Sequence, residues 1–213
     1  MSPAPATFRL ILWPSLLTLA ISITRLVGEQ QGWVTDESGG AGALLGISWC
    51  IPLFGGWFGW RLARAGSFPR GKKPWLWALL ATLAFVGTMA YGFRPLLHAD
   101  KSDATFELVR AAVLHGVLVG LAGACAMFFV WPRLACTLLL YGLGARATVV
   151  AITWYAKSQD LHTHHVKFGP PGIERDSMQE TMVSACLAQF GAWVPLTIFG
   201  GMLVGCLCAR RPK

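Results

Sequence analysis

Apolar residues fall into six blocks, at about 8–28, 42–62, 74–93, 106–131, 133–156 and 181–207. A helix rises about 1.5 Å per residue, so each block is long enough to cross a hydrocarbon core of roughly 30 Å. The pattern predicts an all-α, polytopic membrane helix bundle of six transmembrane helices, filling residues 1–213 as one integral-membrane domain. The first block carries no strong basic leader or clean small-residue cleavage site, and reads as a retained span.

That first span has an unusual polar stripe. Ser15, Thr18, Ser22, Arg25 and Glu29 follow one another at intervals of 3, 4, 3 and 4 residues. At 100° per residue they stay within an arc of about 80°, which a helix facing only lipid would not need. Arg25 and Glu29, four residues apart near the end of the span, read either as a snorkelling arginine held by a carboxylate or as a charged pair lining a cavity open to the outer face. The expected partner of the stripe is the hairpin of spans 4 and 5, which only Trp131-Pro132-Arg133 connects.

Small residues predict where helices approach closely. Gly55 and Gly59 form a small-xxx-small pair in span 2, and Gly200, Gly201 and Gly205 lie in span 6. Ala112, Gly116, Gly120 and Ala124 recur every four residues in span 4, a groove expected to take span 5. Pro195 is expected to kink span 6.

Composition agrees with a membrane protein: 54% of residues are hydrophobic and 13% charged, against roughly 25% charged in soluble domains. The net charge of +8 would suggest nucleic acid in a soluble chain, yet its distribution reads as topology and excludes that partner. With both termini cytoplasmic, Arg61, Arg64, Arg70, Lys72, Lys73, Arg133, Arg210, Arg211 and Lys213 lie inside. All ten acidic residues, among them Glu29, Asp36, Glu37, Asp160 and Glu180, then fall at or beyond the outer surface. The expected location is a bacterial inner membrane. None of the six cysteines falls in an outer loop, which argues against a disulfide framework. Most of the ten tryptophans fall at predicted helix ends as an interfacial belt, among them Trp33, Trp60, Trp75, Trp77, Trp131 and Trp154.

Candidate chemistry sits in three places. Glu107, Arg110 and His115 enter span 4, and Arg146 lies in span 5. His115 and Arg146 come out roughly 13 to 15 Å deep, near one layer. An arginine there costs roughly 2.5 to 3.5 kcal/mol and needs a partner. No acid lies plainly at that depth, so backbone carbonyls, Thr153, Gln189 or an anionic ligand must complete its shell. The single intramembrane histidine argues against bis-histidine haem. His162, His164 and His165, in the long loop before span 6, are candidate ligands for zinc or copper, with Asp160, His98 and Asp100 as additions. They lack the helical register of a zinc protease. Gly46-Ile47-Ser48 lacks the second glycine and the histidine that a serine nucleophile requires.

The segments from Thr24 to Trp33, from Ile51 to Gly55, and Thr163-His164-His165 before Pro170-Pro171 together resemble a group of bacterial six-span inner-membrane proteins with no assigned activity. The resemblance implies location and little else. Three functions stay open. One is binding or transport of a small, anionic solute or lipid through a cavity lined by Arg25, Glu29, Glu107, Arg110, His115 and Arg146, although the two halves show no internal similarity of the kind inverted-repeat carriers have. Another is an accessory subunit of a larger membrane complex or a homo-oligomer. The third is a metal-dependent enzyme at the outer face.

Overall fold

The computed structural model describes residues 7–37, 45–94, 106–168, 173–174 and 176–209, with the backbone alone at 106–110, 112 and 173–174. Among the described residues six helices make up the bundle: α1 (Thr7–Gln30), α2 (Cys50–Arg64), α3 (Pro74–Phe93), α4 (Phe106–Val130), α5 (Pro132–Ser158) and α6 (Met178–Cys208). All except α2 are long and apolar enough to cross a membrane. Between α5 and α6, a 3-10 turn at His164–Val166 leads into a two-residue antiparallel pairing of Lys167–Phe168 with Ile173–Glu174.

α2 covers the later part of the span expected at 42–62, of which residues 42–44 lie outside the described residues. Its 15 residues extend about 22 Å, short of the hydrocarbon core. Pro52 lies in the first turn of this helix, where its missing N–H costs least.

The core is built around α6, which packs on α2, α3, α4 and α5, while α1 lies against α5 and α2. Phe58 and Tyr141 meet edge to face at 5.6 Å, and Phe85 meets Phe199 at 5.4 Å. The tightest seam is the crossing of α2 and α6. A Cβ on Gly55 would lie 2.4 Å from the Gly201 Cα, and one on Gly59 would lie 2.4 Å from the Gly205 carbonyl oxygen. Only glycines allow the two backbones to touch there, as the small-xxx-small spacing predicts.

The groove on α4 has a different occupant from the one expected. Gly116 faces Met89 and Gly120 faces Phe85, both on α3. α5 meets α4 over a much smaller area, because the turn at Trp131 and Pro132 joins only their ends. Trp131 is also not an interfacial anchor. Its ring is 1% exposed and its Nε1 donates to the Ser67 hydroxyl at 2.9 Å, tying the α2–α3 loop under the hairpin. Trp33, Trp77 and Trp154 are exposed, as a belt requires.

α6 begins with a serine N-cap. The Ser177 hydroxyl accepts from the Glu180 backbone N–H at 3.1 Å, which satisfies one of the free donors at the helix start. Further along, Leu187–Trp193 widens into a π-helical segment in which Val194 N–H reaches back to the Gln189 carbonyl. Pro195 follows directly and lacks the N–H that would close an α-turn on Gly191, so the disturbance expected at this proline appears as a wider turn upstream of it.

The crossing yields a direct prediction. Gly59→Leu should destabilise the bundle by about 1–3 kcal/mol or more, since the neighbour it meets is backbone and cannot rotate away. Gly87→Ala, where a Cβ meets nothing within 4 Å, should leave stability unchanged or raise it by about 0.5–1 kcal/mol. Thermal unfolding of the two variants in one detergent checks the contrast.

Candidate functional site

The polar stripe of α1 is buried against α5. Thr18, Ser22, Arg25 and Glu29 are all at most 8% exposed. The Thr18 hydroxyl donates to the Pro14 carbonyl and that of Ser22 to the Thr18 carbonyl, so these two satisfy themselves on their own helix. Arg25 and Glu29 pair with each other on α1, and the loop after α5 supplies further partners to Glu29.

α5 ends at Ser158, and Asp160 takes a left-handed φ of 50°, a conformation that aspartate tolerates better than most residues. The chain turns back over the ends of α1 and α5. Thr163 caps the short 3-10 turn, its hydroxyl accepting from the His165 N–H at 3.3 Å. The same hydroxyl donates to Glu29 Oε2, and the His164 backbone N–H reaches that oxygen at 3.2 Å. The other oxygen, Oε1, receives Arg25 Nε at 2.9 Å and lies 2.6 Å from His164 Nδ1, a close contact too far off axis to be a well-formed hydrogen bond.

The Glu29 carboxylate, with no exposed side-chain surface, thus sits among four protein groups. Three further bonds fasten the loop: Gln30 Nε2 to the His162 carbonyl at 2.8 Å, Thr153 Oγ1 to the His165 carbonyl at 3.3 Å, and Lys167 Nζ to Asp36 at 2.7 Å. The Lys167 ammonium holds the Asp36 carboxyl below its ordinary range.

The histidines do not form the expected metal centre. His162 is exposed and engaged through its carbonyl, His164 is committed to Glu29, and His165 is turned into the interior, its ring 3.9 Å from that of His164. Among the described residues no group of three His, Cys, Asp or Glu side chains is arranged to hold a metal ion. The rings of His164 and His165 lie against one another, but His162 precedes the turn and is exposed, so the three imidazoles do not converge on one point. His98 and Asp100 lie outside the described residues.

Deeper in the bundle is Arg146, 5% exposed on α5. It lies twelve residues before the end of α5, and Gln189 lies eleven after the start of α6. Both are therefore roughly 17 to 18 Å from the end of the bundle that carries the loop. The π-helical segment presents two residues to the guanidinium: Gln189 Oε1 accepts from Nη1 at 3.4 Å, and the Trp193 ring lies 4.7 Å from Cζ. Tyr141 and Cys50, both buried, lie within electrostatic reach. No carboxylate neutralises Arg146 among the described residues, and its Nε has no hydrogen-bond partner there.

The residues expected to share one cavity wall are therefore distributed differently. Arg25 and Glu29 pair, as their spacing predicts. Arg146 occupies its own layer below them. His115 is exposed on α4, and no described hydrogen bond or ion pair joins it to Arg146. The side chains of Glu107 and Arg110 lie outside the described set. Thr163, Trp193 and Cys50 belong to these sites and carry no motif that singles them out. The one available hint was Thr163 before two histidines, a residue type that caps turns.

Burial pushes the His165 imidazole down to about 3, helped by His164 beside it. His164 is also lowered, by burial first, against the pull of Glu29. Between pH 6.5 and 3 the unfolded loop therefore binds more protons than the folded one. Stability from the neutral histidines is complete above pH 6.5 and is lost as the pH falls. His165 alone should cost about 2 kcal/mol by pH 5. Thermal melts from pH 7.5 to 5 should show this slope, and His165→Phe should flatten it. Comparison of the chain with protein-family models, curated proteins and solved structures finds no match.

Proposed function

We propose that this multi-pass membrane protein binds a small anionic group at Arg146, as a solute or as the headgroup of a lipid. The observation that carries the reading is a buried guanidinium whose described shell contains one long amide bond and a tryptophan face but no carboxylate. A buried charge costs several kcal/mol unless it is compensated. Glu29 is already surrounded by its own donors. An anion beside Arg146 would supply the missing charge, and Gln189 would help to orient it through its amide.

The accompanying topology has α2 and the residues before it as a short sixth crossing, both termini cytoplasmic, and the loop between α5 and α6 on the outer side of a bacterial inner membrane. The segregation of acidic from basic residues along the sequence supports it. A second reading, a subunit of a larger membrane assembly, draws on His115, whose imidazole is exposed within a span beside the exposed Leu114 and Leu118. Polar groups in spans almost always face protein or water, and a neighbouring helix would provide that. Sizing in mild detergent separates the two readings, since a lone monomer counts against the subunit.

The anion site is tested in phosphatidylcholine nanodiscs. Inorganic phosphate should raise the melting temperature if the ligand is a free anion. Replacing part of the lipid with phosphatidylglycerol should do so without phosphate if it is a headgroup. At a hundredfold excess over Kd the gain is about 2.7 kcal/mol. Arg146→Gln should abolish whichever response appears, and an equal response in that variant would overturn the assignment.

A further inference from the structure

We infer that the loop over residues 162–168 is a lid that closes the Arg146 layer off from the water at its end of the bundle, with Glu29 as its latch. Three observations converge on it. First, Arg146, Val149, Thr153 and Ala156 are all buried on one face of α5, and seven residues place Thr153 about 10 Å nearer the helix end than Arg146. Second, Thr153 holds the lid directly, through the His165 carbonyl at 3.3 Å. Third, the α1 stripe lines the facing side of the same seam, and Glu29 at its top is held by Thr163 and by His164 in the lid.

The lid's hydrogen bonds run to Thr153 on α5 and otherwise to the last turn of α1 and to Asp36 beyond it, through Glu29, Gln30 and the Lys167 pair. Freeing these contacts would let the segment swing away without unwinding a transmembrane helix. The Gly55 and Gly59 crossing of α2 with α6, which holds the bundle together, would be untouched. The structure is the closed state.

A native reporter lies close to the Arg146 layer. Cys50 is fully buried and within electrostatic reach of Arg146. The experiment uses the full chain in phosphatidylcholine nanodiscs, with Cys125, Cys136, Cys186, Cys206 and Cys208 replaced by serine, and a water-soluble cationic methanethiosulfonate as probe. Amide hydrogen exchange over residues 163–166 is followed in parallel. In the otherwise unaltered protein Cys50 should react slowly. Glu29→Gln with Thr163→Val should remove the latch, lower the protection of those amides at least tenfold and speed modification of Cys50 by a similar factor. If the double variant does not fold, Thr163→Val alone should give a smaller change in the same direction.

Three results would overturn the proposal: fast modification with the latch intact, amides that stay protected when it is removed, or amides released while Cys50 stays at its slow rate. The inference rests on Arg146 marking the ligand layer, but the thiol readout needs no anion to bind. Opening without any response to phosphate or phosphatidylglycerol would leave the lid standing and remove the anion reading.

Discussion

A carboxylate shut away from water must collect its hydrogen bonds from the protein, and the end of this bundle is arranged around one that does. Glu29 takes Arg25 from its own helix and Thr163 and His164 from a segment more than 130 residues further along the chain. Desolvating such a group costs several kcal/mol, and removing any one donor returns part of that cost. The requirement fixes how the loop lies, and with it the relative position of the ends of α1 and α5. The two-residue pairing at Lys167 and Phe168 is too small to hold that arrangement by itself.

The opposite problem arises at Arg146. A guanidinium has five donors and always carries its charge, so it cannot escape burial by losing a proton as a histidine can. His165, a few turns away, meets its own burial by staying neutral. Arg146 instead draws on an amide oxygen and the face of Trp193, interactions that soften a buried charge without cancelling it. Two neighbouring ionisable groups thus respond to burial in different ways, and only one is left with a net charge to compensate.

Much of the architecture was legible in the sequence because the membrane imposes it. Apolar block length identified the helices, and glycine spacing marked α2 as a helix that another would approach closely, without saying that the partner is α6. The four-residue interval also gave the Arg25–Glu29 pair. What could not be read was which distant elements meet. The groove on α4 is equally open to α3 and α5 on paper, and the side chains of Phe85 and Met89 decided between them. The spacing of the histidines did not say that one ring would lie against Glu29 and another be turned inside.

The π-helical segment of α6 has a consequence for how that helix fits the bundle. An α-turn and a π-turn differ by about one residue, so the sequence spacing of each face shifts by about one residue across Leu187–Trp193. The half before it is set by the Ser177 cap, and the half after it by the glycine contact with α2. One stretch of chain therefore meets two unrelated angular demands, and the slack between them lies where Gln189 and Trp193 reach Arg146. A π-turn spends about one residue more than an α-turn on the same sweep of angle, so the extra residue is absorbed there and is not passed on as a rotation of roughly 100° to the rest of the helix. The irregular turn thereby lets the helix most central to the bundle satisfy both of its ends.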